Sequence, residues 1–209
     1  MPEIKLWFSP GACSLAPHIL LHEIDVAFEA IATPIAQGAN LTEDFTRLNP
    51  KQRVPVLSLD GEIVTELPAI AAAISHLAPE RGLMGRSAAE AVRVLEWMNW
   101  LSGTLHGQGF GCLWRPARFS DDPRDFANIQ AKGARTIRDC FAMIDRDLSA
   151  GRPPCVFTAV DPFLLVFYLW GNRIDLDMRT AYPAYAAFAE ALADRESVVS
   201  ALAAEGVAF

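Results

Sequence analysis

Along the first 80 residues, apolar runs of strand length alternate with runs of helical spacing, and beyond Pro79-Glu80-Arg81-Gly82 the strand signals stop. That change of period restricts the chain to two architectures in series. Ile4–Phe8 predicts a strand, Cys13–His22 a helix, Val26–Ala32 a second strand, and Asn40–Asn49 a loop with a short helix. Val56–Leu59 and Ile63–Val64 read as a hairpin around Asp60-Gly61, and Pro68–Leu77 as a helix with proline at its start. The order is that of an α/β unit on a small mixed sheet. The later segments Ala88–Leu105, Phe126–Leu148, Ala159–Trp170, Tyr182–Ala193 and Val198–Ala204 all carry helical spacing. Phe126, Ile129, Ile137, Phe141, Ile144 and Leu148 recur as one buried stripe requires. The expected fold class is therefore α/β followed by all-α, with one domain over 1–80 and a second over 87–209.

Composition supports a packed chain: hydrophobic residues make up 52% and charged residues 21% of 209. Cysteines at 13, 112, 140 and 155 show neither CxxC nor zinc-type spacing, so no metal site is expected and a reducing cytosol fits better than secretion. The N-terminus has no apolar signal region, and the longest strongly apolar run, Phe163–Trp170, is far below a membrane span. The expected location is the cytoplasm, with no membrane partner. A formal charge of −7 argues against nucleic acid, and the local pairs Lys51/Arg53 and Arg115/Arg118 are no basic stripe. Arg115 and Arg118 read as ordinary solvated surface.

Ser9-Pro10-Gly11-Ala12-Cys13-Ser14 places one thiol where the first strand hands over to the first helix. The first helical turn leaves N–H groups unpaired, with a partial positive charge, so a thiolate is expected to be favoured there. A small cysteine that merely packs is the alternative, and the residues alone leave both open. Further on, Thr158-Ala159-Val160-Asp161 fits a capping box, a structural start for a buried helix that Pro162 is expected to distort.

The junction thiol, then Asn49-Pro50-Lys51-Gln52-Arg53-Val54-Pro55, then Thr65-Glu66-Leu67-Pro68, then an all-helical second half resembles the cytosolic glutathione S-transferases. Lys5–His18 and Glu96-Trp97-Met98-Asn99 with His106 look most like the bacterial beta class. The resemblance spans nearly the whole chain. It implies a thioredoxin-like glutathione-binding domain, a helical domain carrying the electrophile pocket, and a homodimer. It implies that Pro55 is cis and that Val54 pairs through its main chain with the cysteinyl part of glutathione. Glu66 and Leu67 match the pair that holds the γ-glutamyl end; a Ser or Gly is usual second, and Leu67 offers only its backbone N–H.

On the same resemblance Cys13 is the active cysteine, able to form a mixed disulfide with glutathione, and Ser14 is a hydroxyl that donates to its thiolate or caps the helix. Phe8 falls near the tyrosine of other classes and has no hydroxyl, while Ser9 keeps a serine mechanism open beside the electrophile pocket. Asn99, Gly103 and His106 lie on one helical face, two turns end to end, and reach toward glutathione and Cys13. An imidazole there serves as acid or base near neutral pH. Gly107 replaces the family's basic residue, and the run Gly103, Gly107, Gly109, Gly111 predicts a bent or frayed segment with a roomy pocket mouth, lined by Phe110 and Trp114. The family lysine after the second strand is missing, which leaves Lys51 or Arg53 to supply its charge. The reading is an enzyme with no permanently bound cofactor that uses glutathione as co-substrate. It either conjugates glutathione to a hydrophobic electrophile or exchanges thiol and disulfide through Cys13. A non-catalytic binding protein on the same fold is the alternative, favoured by Leu67, Gly107 and the missing lysine.

Overall fold

Ile4, Leu6 and Phe8 alternate with half-buried residues along β1 (Ile4–Phe8), the period-2 pattern of a strand with one face on a core. The structure, a computed structural model, describes residues 2–151 and 156–209; Cys155 lies outside them. A four-stranded mixed sheet forms in the order β2-β1-β3-β4. β1 runs parallel to β2 (Glu29–Ala32) and antiparallel to β3 (Val56–Leu59), which pairs antiparallel with β4 (Glu62–Thr65). The expected turn at Asp60-Gly61 holds both residues at positive φ, 51° and 89°, the geometry that a two-residue hairpin needs. The second strand is shorter than Val26–Ala32 predicts: only Glu29–Ala32 reaches the ladder beside β1.

Between the strands lie α1 (Leu15–Glu23), the short α2 (Glu43–Leu48) and α3 (Leu67–Leu77). Seven consecutive residues of α1, Leu15–Leu21, are buried, because the helix packs against α3 within the sheet unit and against two helices of the second half. Those two are α7 (Val160–Arg173) and α10 (Glu196–Glu205). The run that stood out as strongly apolar lies within α7. It is buried on all sides, as an apolar helix must be when it lies at the centre of a bundle. Phe167 stacks on Phe110 at 5.8 Å and meets Phe163 at 4.6 Å and Trp170 at 5.4 Å. Half of the capping box forms: the Asp161 carboxylate accepts the Thr158 N–H at 2.7 Å, but it also takes the Thr158 hydroxyl at 2.9 Å, which therefore does not accept the Asp161 N–H. The helix runs on through Pro162 to Arg173.

Around α7 stand α4 (Ala88–Trp100), α5 (Gly111–Trp114), α6 (Phe126–Ser149), α8 (Met178–Ala181) and α9 (Pro183–Ala193). Ile137, Phe141 and Ile144 of the α6 stripe are buried, while Phe126, Ile129 and Leu148 are half-buried toward its ends. The predicted helix Ala88–Leu105 does not continue unchanged. From Leu101 to Phe110 it becomes a π-helix, closed by the Gly111 N–H on the His106 carbonyl five residues back. The glycine run therefore neither frays nor opens the fold. Gly109 is buried, and a Cβ there would stand 2.9 Å from Ile137 Cγ1.

Gly133 of α6 is the matching close approach: a Cβ there would meet Gly109 O at 2.7 Å, Leu113 N at 2.8 Å and Cys112 Cβ at 2.9 Å. Two of these are backbone atoms of the facing segment, which cannot swing aside. A Gly133→Ala variant is expected to lose about 1–3 kcal/mol of stability, the usual range for overpacking; urea unfolding with an unchanged m-value checks it.

Candidate active site

Cys13 stands two residues before α1, at the end of a loop that the Ser14 hydroxyl ties into a closed turn. That hydroxyl accepts the Ser9 N–H at 3.0 Å and donates to the Ser9 carbonyl at 3.2 Å. Ser14 is fully buried and makes no cap bond to α1, so it neither donates to the thiol nor caps the helix as expected. Ser9 is also buried, its hydroxyl accepting the Ile35 N–H at 3.3 Å. It braces the loop rather than serving as nucleophile or pocket wall.

From the other side the loop is held by the helical half. Gly11, at φ +65°, donates its N–H to Glu205 Oε2 at 2.8 Å and accepts from Trp170 Nε1 at 2.9 Å and Arg173 Nη1 at 3.0 Å. Glu205 Oε1 takes His18 Nδ1 at 2.9 Å.

The thiol itself is 8% exposed and donates to the Val54 carbonyl at 3.7 Å. The Val54–Pro55 bond is cis, as expected, and the Val54 N–H has no protein partner among the described residues. One edge of main chain beside the thiol is thus open to a strand-like ligand. The expected thiolate is not favoured here: burial pushes the Cys13 thiol up to about 12, against the opposing pull of the Arg115 charge and the backbone N–H groups of Cys13 and Ser14. Desolvation of the charged form outweighs the helix terminus.

At the mouth of the site Glu66 precedes α3 with φ +71°, a disfavoured backbone for a residue with a side chain and one typical of ligand clamps. Lys51 Nζ reaches Glu66 Oε1 at 2.5 Å and Thr65 Oγ1 at 2.6 Å. Both charged groups are exposed, so this pair is weak enough to open for a ligand, on the scale of about 0–1 kcal/mol. Leu67 turns its side chain into the core and leaves its main chain at the start of α3.

The Asn99–His106 face does not form. Asn99 is exposed and donates Nδ2 to its own helix, to Leu95 O at 2.8 Å, and Gly103 is exposed with open space around it. A π-helix advances each residue by less than the roughly 100° of an α-helix, so five such steps turn His106 away from Asn99. His106 lies instead against Trp170 at 5.4 Å and Phe167 at 6.2 Å between ring centroids. Burial holds its pKa down to about 4, helped by the charges of Arg115, Arg53 and Arg118. It is a neutral imidazole at physiological pH.

Phe110 is 1% exposed and stacked into the core with Phe141, Phe167 and Trp170, so it lines no pocket. Trp114 keeps 42% exposure and lies edge-on to Trp170 at 4.9 Å. Of the pair read as solvated surface, Arg118 is exposed and Arg115 half-buried, and the Arg115 charge bears on both Cys13 and His106. A basic pair in a chain of net negative charge was the available signal.

The architecture is that of a thioredoxin-like sheet unit with a thiol at the first strand–helix junction, backed by a helical bundle. A family model described as the N-terminal domain of glutathione S-transferases matches residues 11–77. Glutathione S-transferase GstA of Escherichia coli O157:H7 is 31% identical over 98% of this chain and 100% of its own length. A sphingomonad glutathione S-transferase solved in complex with glutathione is 38% identical, with TM-score 0.83, over 98% of this chain and 100% of that one. A bacterial beta-class glutathione S-transferase of Sphingomonas chungbukensis is 32% identical, with TM-score 0.84 and the same coverage. The chain belongs to the glutathione S-transferase family, and its activity is that of a glutathione transferase.

With its ionisation near 12, Cys13 holds roughly one thiolate in 10⁵ at pH 7. Iodoacetamide is therefore expected to label Cys13 slowly at neutral pH, with a rate that keeps rising through pH 10, read by peptide mass spectrometry. A rate that levels off near pH 7 would contradict the burial effect.

Proposed function

We propose that this transferase conjugates glutathione to hydrophobic electrophiles, with the tripeptide's own sulfur as the nucleophile and Cys13 as the group that holds it. The observation that carries this reading is the protonated Cys13 thiol set 3.7 Å from the Val54 carbonyl, beside an unpartnered Val54 N–H. Glutathione pairs with the Val54 main chain as an added strand, which brings its cysteinyl sulfur against Cys13 Sγ. The glutathione thiol gives its proton to solvent, and the Cys13 S–H then leaves the Val54 carbonyl and donates to the resulting thiolate, while the Arg115 charge adds long-range stabilisation. Attack forms the carbon–sulfur bond as the leaving group departs with its electron pair.

Glu66 takes the γ-glutamyl ammonium on release from Lys51, and the main chain at Leu67 receives the adjacent carboxylate at the start of α3. Lys51, freed by that exchange, remains near the same end of the ligand. Thiol–disulfide exchange through Cys13 is the second reading. It is favoured by a lone active thiol that would need glutathione itself to resolve a mixed disulfide.

Kinetics with 1-chloro-2,4-dinitrobenzene and with hydroxyethyl disulfide separate the two. Under conjugation, Cys13→Ala lowers kcat/KM for the aromatic halide about 10–100-fold, as loss of one donor to the anionic sulfur does. Cys13→Ser recovers most of that loss, because its hydroxyl still donates. Equal loss in both variants, with disulfide reduction the faster wild-type reaction at pH 7, would assign the site to exchange.

A further inference from the structure

Lys51 places an ammonium group on the carboxylate that, on the reading above, must receive another one. Its Nζ donates to Glu66 Oε1 at 2.5 Å and to Thr65 Oγ1 at 2.6 Å, so one side chain spans the two residues that lead into α3. The main chain that carries Lys51 is fixed. The Lys51 N–H donates to the Asn49 side-chain carbonyl at 3.1 Å, and the Asn49 amide donates to the Arg53 carbonyl at 2.7 Å. Asn49 is 2% exposed, so a buried side chain braces both flanks of the turn. Gln52, at φ +55°, has its carbonyl on Asn40 Nδ2 at 2.8 Å, and its side-chain amide donates to Thr46 Oγ1 at 3.0 Å. The Lys51 side chain, by contrast, is nearly half exposed, and its charge rides on a flexible four-carbon stem. The turn holds still while the ammonium is free to move.

The same turn runs into Val54 and the cis Pro55, and Val56 then pairs with Thr65 across the β3–β4 ladder. The main-chain edge at Val54 and the Glu66 carboxylate therefore lie at the same end of one ladder. A γ-glutamyl residue carries its ammonium and its carboxylate on one carbon, so the group that receives the first has the second beside it. The Leu67 side chain, 7% exposed and turned into the core, offers that carboxylate no donor and leaves only the main chain at the start of α3. Lys51 Nζ is a cation already within hydrogen-bond reach of residues 65 and 66.

We infer that Lys51 is a specificity-determining switch that reads the γ-glutamyl α-carboxylate. Without ligand it neutralises Glu66. When the ligand's ammonium takes that carboxylate, Lys51 moves to the carboxylate on the same carbon. One ion pair is replaced by two, and no charge is left over. A peptide that has the ammonium but lacks the α-carboxylate must still displace Lys51, and the two cations then repel each other. The inference rests on the glutathione docking proposed above, and it holds whether the bound tripeptide is conjugated or exchanged.

Titration calorimetry tests it with glutathione and with 4-aminobutyryl-cysteinylglycine, which keeps the amine and lacks the α-carboxylate. The proteins are the wild type, Lys51→Met and Lys51→Arg. Lys51→Met is expected to weaken glutathione about 3–5-fold, the upper range for one exposed charge pair, and to tighten the analogue about 2–5-fold, because Glu66 is then unpaired. Lys51→Arg keeps the charge and stays within about two-fold of the wild type for glutathione. The opposite signs are the signature, since a turn that had merely lost its shape would weaken both peptides. Weakening of both alike by Lys51→Met overturns the inference, by giving Lys51 to the glycyl carboxylate or to the turn. Unchanged glutathione affinity in Lys51→Met overturns it as well. No binding of glutathione to the wild type overturns the docking and this inference together. Binding without turnover of 1-chloro-2,4-dinitrobenzene overturns conjugation alone, and the two signs still decide the role of Lys51.

Discussion

The carboxylate of Glu205, in the last turn of the last helix, decides where the reactive loop sits. It is buried, and it takes the Gly11 N–H and His18 Nδ1 from residues 194 and 187 positions away. The Gly11 carbonyl, turned the other way, is held by Trp170 and Arg173 of α7. Gly11 must be glycine twice over: its φ is +65°, and the Arg173 guanidinium occupies the place a Cβ would need. The loop that presents Cys13 is thus bolted to two helices of the second half. Breaking a buried pair by removing one partner typically costs about 3–5 kcal/mol, since the other is left uncompensated. The sheet unit supplies the thiol; the helical bundle fixes its position.

That fixation has an electrostatic consequence. A helix N-terminus favours a thiolate by about 0.3–1 kcal/mol. The net rise of the Cys13 thiol from 9.0 to about 12 corresponds to roughly 4 kcal/mol the other way. Burial wins because the Ser9–Ser14 turn and the Gly11 clamp press the sulfur against the Val54 main chain and leave little water beside it. A buried neutral thiol is a poor nucleophile and a good hydrogen-bond donor. The same desolvation strengthens its bond to any anionic sulfur that replaces the water.

Local signals carried the fold well. The order of elements and the turn at Asp60-Gly61 follow from residue chemistry of short range, whereas the cis bond at Pro55 was expected only from the family resemblance. What the residues did not reveal depends on distant partners. Nothing near Glu205 announces that its carboxylate meets a loop at the other end of the chain. The helical period predicted a shared face for Asn99 and His106, but the register changes at Leu101, and glycine-rich segments fit 3.6-residue and wider helices alike. Arg115 looked solvated because a charge is assigned to surface or site by what folds beside it. Phe110 read as pocket wall and proved to be core, the commoner fate of an aromatic at helical spacing.

Taken together, the charges at the site are few and unequal. Cys13 is a neutral thiol, His106 a neutral imidazole, and Lys51 pairs with Glu66 at the mouth. The Arg115 charge bears on both of these neutral groups, and that of Glu66 opposes it at each. Arg115 already opposes the burial of Cys13 by favouring a negative sulfur. On the conjugation reading proposed above, a second sulfur brought beside Cys13 meets the same Arg115 charge. On that reading, the burial that disarms Cys13 is what separates the sulfur that holds from the sulfur that attacks.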